Sequence, residues 1–183
     1  MNALTSALRR TQGRAARPPV ADEILFGRDP EYLRIFVSSK MDGSLDAERL
    51  AARSVIRGLG SHRSWLWEDD APVGALHSEQ ECIGYARTSD GLVLIIGGPL
   101  SPIIYAEYES ARKAGANRYV FIREGAHLPQ DVAKFIRRQQ KGEIVYRYFA
   151  NTAELKTHLH KSLRVSVVRS SRHALISRRE RYQ

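Results

Sequence analysis

Residues 91–98, GLVLIIGG, place the tightest limit on the fold, because five consecutive apolar residues after a glycine leave no solvated face on an extended chain. A strand of this kind is covered on both sides, as in a parallel sheet between two layers of helices. Its neighbours agree. The segment YLRIFVSS (32–39) reads as a first strand, with turn signals following in KMDGSL. RYVFIRE (118–124) and EIVYRYF (143–149) read as later strands, and SWLWEDD (64–70) as a short second one.

Helical patterns fill the gaps. SLDAERLAARSVIRGLG predicts a helix capped by Ser44, with Ala47, Leu50, Ala51, Val55 and Leu59 turned inward and Gly58 and Gly60 closing it. LHSEQECIGYARTSD predicts a helix with Cys82, Ile83 and Ala86 inward; YAEYESARKAG predicts one stopped by Gly115. LPQDVAKFIRRQQ carries Pro129 in its first turn, and NTAELKTHLHKSL is capped by Asn151 or Thr152. Strand–helix alternation of this length builds βαβ units. The expected fold class is therefore α/β: a flavodoxin-like, doubly wound, five-stranded parallel sheet with helices on both faces, carrying basic N- and C-terminal tails. The expected organisation is a basic arm over 1–31, the α/β domain over 32–163 and a basic tail over 164–183. In the order 2-1-3-4-5 the winding reverses between strands 1 and 3, so ligands are expected at their carboxyl ends. The loops that meet there are SSKMDG (38–43) and GGPLSPI (97–103).

The chain of 183 residues carries a formal net charge of +9, which raises nucleic acid as a partner through the basic tails. Residues 1–20 hold four arginines and no acid, and 164–183 are arginine-rich with a single acid, which leaves the body near neutral. One cysteine, Cys82, excludes an internal disulfide, and no apolar run is long enough to span a bilayer, so a reducing, cytoplasmic setting without membrane contact is expected. The scattered histidines offer no metal-ligand spacing, and no metal is expected. Neither GxGxxG, nor GxxxxGK with a following Ser or Thr, nor GxSxG occurs, so nothing points to an ordinary dinucleotide dehydrogenase, a P-loop nucleotidase or a nucleophile-elbow hydrolase.

Two carboxylates remain to be told apart. At about 100° per residue, Glu107 falls in the same stripe as Ile104, Ala111 and Ala114, whereas Glu109 falls on the opposite side beside Arg112 and Lys113. A carboxylate inside an apolar stripe is costly unless it is paired or lines a cleft. Two roles are open for Glu107: an ion pair with Lys40 or Arg49, or a carboxylate held ionised in the crevice, partly by the helix N-terminus.

From these residues the sequence resembles the TIR-like (Toll/interleukin-1 receptor-like) domains, in particular the bacterial modules often fused to STAND-type NTPases. The resemblance spans about 32–148. It is carried by the strand ending in Ser38-Ser39, by ARTSD ahead of the buried strand with Gly97-Gly98, and by Glu107 four residues before Ala111, with Gly115 and another strand after it. It implies a flavodoxin-like fold and cleavage of the nicotinamide–ribose bond of NAD as substrate, with Glu107 at the position of the catalytic glutamate. There the carboxylate stabilises an oxocarbenium-like centre or holds ribose hydroxyls. Ser38, Ser39 and Lys40 would contact phosphate or ribose, Gly97 and Gly98 would admit the ligand closely, and Ser101 would lead into the helix. Where many such enzymes carry Trp-Cys before the glutamate, this chain has Ile103 and Ile104. Trp67 is either core packing or a stacking platform for a ring of the dinucleotide.

The expected activity is thus NAD glycohydrolysis or cyclisation by a bacterial defence or signalling effector, switched on by assembly into a homo-oligomer or with a protein partner. Two alternatives stand beside it. One is a non-catalytic TIR-like module for nucleotide sensing or protein interaction. The other is nucleoside or nucleotide N-ribosyl hydrolysis or transfer, since nucleoside deoxyribosyltransferases are similar in this region.

Overall fold

Strand β1 (Leu33–Ser39) lies between β2 (His62–Trp65) and β3 (Gly91–Ile96), followed by β4 (Asn117–Arg123) and β5 (Tyr146–Phe149). Every neighbouring pair is parallel, in the order β2-β1-β3-β4-β5. This is the doubly wound, flavodoxin-like arrangement expected from the sequence. The computed structural model describes residues 20–74, 77–141 and 144–181.

All six residues of β3 are buried, as its lack of alternation requires. On one face Phe36, Leu92, Leu94 and Ile96 pack beneath α4 (Ser78–Thr88), α5 (Pro102–Lys113) and α6 (Gln130–Lys141). On the other, Ile35, Val37, Val93 and Ile95 pack beneath α2 (Asp46–Gly58) and α7 (Thr152–Glu180). Each of these fully buried aliphatic side chains contributes about 1.5–3 kcal/mol relative to exposure. Tyr108 of α5 is fully buried and still satisfies its hydroxyl against Gln139 of α6 at 3.2 Å.

The structure corrects four local expectations. Ser44 does not cap α2: the cap position is Leu45, and the Ser44 hydroxyl turns back to Asp42 at 2.5 Å. The inward face of α2 is Glu48, Arg49, Ala51, Ala52 and Ile56, while Leu50 is half exposed. Leu45 fills the core one turn ahead, and that residue, not Leu50, sets the phase. In α4 the buried positions are Glu81, Gly84, Ala86 and Thr88, with Cys82 and Ile83 half buried. The second strand ends at Trp65; Trp67–Asp70 form a single helical turn, α3, whose start is held by Asp70 accepting from the Leu66 N–H at 2.8 Å.

Two helices lie in the stretches flanking the expected α/β domain. Within the 1–31 stretch, α1 (Val20–Phe26) docks on the domain through Phe26, which is buried and meets Tyr85 edge-on at 5.1 Å. Residues 1–19 lie outside the described part. The stretch from 164 to 180 continues α7 as one helix of 29 residues, which Asn151 caps by accepting from the Glu154 N–H.

Gly84 is where α1 meets α4: a Cβ there would stand 2.3 Å from the Phe26 ring. Gly84→Ala is expected to displace α1 at a cost of about 1–3 kcal/mol, read as a lowered melting temperature and faster proteolysis ahead of β1. The double variant Gly84→Ala/Phe26→Ala should lose less than the sum of the two single changes.

Candidate functional site

The two serines ending β1 serve different faces, because successive residues of a strand point to opposite sides. Ser38 shares the face of Phe36 and meets α5; Ser39 shares the face of Ile35 and Val37 and meets α2. Both are buried at the carboxyl ends of β1 and β3, where Ser38 stands beside Leu94 and Ser39 beside Ile95.

On the α5 side Glu107 is 6% exposed. Ser38 donates its hydroxyl to Glu107 Oε2 at 2.5 Å, and the Cys82 thiol of α4 lies near the same carboxyl and favours its charged form. Burial pushes Glu107 up to about 7, against the Ser38 hydrogen bond, the nearby Cys82 thiol and the charge of Arg49, which pull it down. The expected help from the helix N-terminus does not prevail: Glu107 is the sixth residue of α5, past the first turn where the dipole acts. Burial, followed by the negative charge of Glu107, drives the Cys82 thiol up to about 12, so it stays a protonated donor.

On the α2 side Arg49 is 3% exposed. Its guanidinium forms a two-pronged pair with Glu68 of α3, one prong at 2.8 Å, and donates to Ser39 Oγ at 2.7 Å. Partial burial raises Glu68, yet the Arg49 hydrogen bonds win and hold it below the ordinary carboxylate range. The ion pair considered for Glu107 is thus absent in both versions: Arg49 is engaged by Glu68, and Lys40 pairs with Asp42 in its own loop at 2.7 Å. Glu109, by contrast, lies on the wet face, bonded to Arg112 at 2.8 Å.

The remaining candidates divide. Gly97 is needed for packing, since a Cβ there would stand 2.9 Å from Leu45. Gly98 opens onto free space, with no atom within 4 Å of an added Cβ. Ser101 is the residue before α5 and leaves its hydroxyl out of the cap. Trp67 does not share a strand face with Trp65. It is half buried against the cluster that includes Ile104, while Trp65 stacks between Phe36 and Tyr85 at 4.9 and 4.6 Å. Four clefts of about 470 to 890 Å³ open elsewhere, and Ser38, Gly98 and Glu107 line none of them. Among the described residues no cluster of three or more His, Cys, Asp or Glu is placed to hold a metal, and no helix is long and apolar enough to cross a membrane.

Sequence reasoning missed Cys82 as a partner of Glu107 and the pairing of Arg49 with Glu68. The signal for Arg49 was present: it falls at the four- and three-residue spacing of Leu45, Ala52 and Ile56, a charge inside an apolar stripe just as Glu107 is.

A family model described as "Domain of unknown function (DUF4062)" matches residues 34–164. No curated protein matches the chain in sequence. Among solved structures, the metal-soaked Flv1 flavodiiron core from Synechocystis sp. PCC6803 is similar over 75% of this chain, at 10% identity and a TM-score of 0.46. The matched region is 37% of that chain's length.

Proposed function

The chain belongs to the DUF4062 family, which is named for its unknown function, and we propose from the site itself that it cleaves the N-glycosidic bond of a nucleotide, with NAD the first substrate to test and Glu107 the reacting carboxylate. The observation that carries this reading is a single buried carboxyl at the switch point of β1 and β3, held by the Ser38 hydroxyl and not paired with a cation. A carboxyl so placed titrates near neutrality. Ionised, it stabilises positive charge developing at C1′ of a ribose.

In NAD the C1′–N bond would break with its electron pair passing to the nicotinamide nitrogen. Water would then add to C1′ and lose one proton, first to Glu107 and then to solvent. Lys40 and Ser101 border this end of the sheet, and Gly98 leaves open space beside it. The resemblance to TIR-like domains supports the same position for the acid and the same bond. A single chain that keeps Glu107 closed in fits an effector activated by assembly. The 6% exposure of Glu107 and the placement of the larger clefts elsewhere favour a second reading, a non-catalytic TIR-like interaction or nucleotide-sensing module.

The test is incubation of the purified chain with NAD over a concentration series of protein, with nicotinamide measured by liquid chromatography. Release by the wild type and by Glu109→Gln, but not by Glu107→Gln, supports the enzyme. No release at any protein concentration, or equal release by all three, leaves the module.

A further inference from the structure

We propose that the cleft between α7 and the leading ends of β4 and β5 binds a nucleic-acid strand through its phosphodiester backbone. The cleft has a volume of about 750 Å³ and lies at the amino-terminal ends of the strands, the opposite end of the sheet from Glu107. Among the described residues six basic ones line it, Arg112, Arg118, Arg147, His158, Lys161 and Arg169, and no acidic one does. Arg112 and His158 are already paired, with Glu109 and Glu154. Among the described residues, Arg118, Arg147, Lys161 and Arg169 have no carboxylate partner, so four cations from three elements face one concavity. Arg118 is fixed in place by lying over the Tyr108 ring and donating to its hydroxyl at 3.4 Å.

The charge continues beyond the cleft. From residue 155 to 179 α7 contains no Asp or Glu. At about 100° per residue Lys161, Arg172 and Arg179 fall within about 20° of one another, with Arg164 and Arg169 inside about 80° to either side. All five are exposed. Lys161 and Arg169 are about 12 Å apart along the axis, which matches about three successive phosphates of one strand, and the stripe runs on to about 27 Å.

A stripe this long exceeds what a mononucleotide can cover and suits a polymer. An anionic membrane would instead need apolar and basic residues on opposing sides of the helix. Here Val165, Val168, Leu175 and Ile176 are interleaved with the arginines on the same side. The body of the chain is near neutral, so the excess positive charge lies at the two ends, one of which is this helix.

The experiment is fluorescence anisotropy with labelled single-stranded DNA and RNA 20-mers, titrated with the full chain from 50 to 300 mM KCl. Lys161→Glu/Arg169→Glu is compared with Lys134→Glu/Arg137→Glu, exposed positions on α6 that give the same net charge, and circular dichroism checks that helix content is retained. The expected result is an affinity loss of at least tenfold at 100 mM KCl for the first pair, with the slope of log K against log [KCl] reduced by about 1.4, equivalent to two phosphate contacts. The α6 pair should bind like the wild type. Equal weakening by both pairs, no binding at 50 mM KCl, or binding to phosphatidylserine vesicles in place of the 20-mers overturns the proposal.

Discussion

Glu107→Gln is expected to lower nicotinamide release by about 100- to 1,000-fold, the scale set by removing one group that stabilises transition-state charge in a closed site. The fold should survive, because the amide keeps the volume of the side chain and one oxygen for the Ser38 hydroxyl. Stability supplies an independent readout. The ordinary value of 4.5 applies to the unfolded chain and about 7 to the folded one, so between these values the folded state holds a proton that the unfolded state has lost. The contribution of Glu107 is therefore full below about 4.5, falls as pH rises at up to about 1.4 kcal/mol per unit, and is gone above about 7. Urea midpoints for wild type and Glu107→Gln measured from pH 4.5 to 8 should diverge in favour of the variant as pH rises. Parallel curves would show that the carboxyl is not held as the structure places it.

Glu68→Ala is expected to be the most destabilising single change near the site, at about 3 kcal/mol in urea unfolding. It strands the Arg49 guanidinium at 3% exposure with only Ser39 Oγ as an acceptor. Breaking a buried pair costs about 3–5 kcal/mol, and the partial exposure of Glu68 sets the value at the lower end. Glu68→Gln should recover part of the loss, since the amide oxygen still accepts one guanidinium bond. With Glu68 gone, the charge of Arg49 falls more fully on Glu107 and favours its ionised form. The decline of stability with pH should then begin at the same pH, which the unfolded chain sets, and end at lower pH, in the same urea series. An unchanged pH profile in Glu68→Ala would mean that the two halves of the site do not communicate.

Both predictions rest on residues whose type and position were legible in the sequence and whose partners were not. Helical spacing separated Glu107 from Glu109, and the structure has the first buried and the second bonded to Arg112 on the wet face. The same arithmetic fails on α2, where it turns Leu50 inward and the structure leaves it half exposed. The run there offers two overlapping stripes, and only the packing of Leu45 against Gly97 decides between them. Trp67 failed for a related reason. Alternation carried the second strand through SWLWEDD, but Asp70 closes a turn back onto Leu66 and takes Trp67 out of the strand. The basic stretch after residue 163 contains no helix breaker and follows a capped helix directly, so it extends that helix to Glu180 although its charge alone suggests a tail.

The sequence by itself determined the layering and the parallel sheet, because a continuous apolar strand between helical repeats has few other ways to bury both faces, whereas the strand order is decided by the pairing of β1 with β2 and β3 in the folded structure. It also determined that Glu107 points inward, since this follows from the period of 3.6 within one helix, whereas Ser38 and Ser39, expected at one ligand, divide between the two faces of the sheet. Only the tertiary structure decided that Glu107 meets Ser38 with Cys82 nearby, that Arg49 meets Glu68, and that burial outweighs these neighbours in setting the proton affinity of Glu107. Desolvation depends on how many elements close over a group, and those come from positions far apart in the chain: residue 38 on β1, 82 on α4 and 107 on α5.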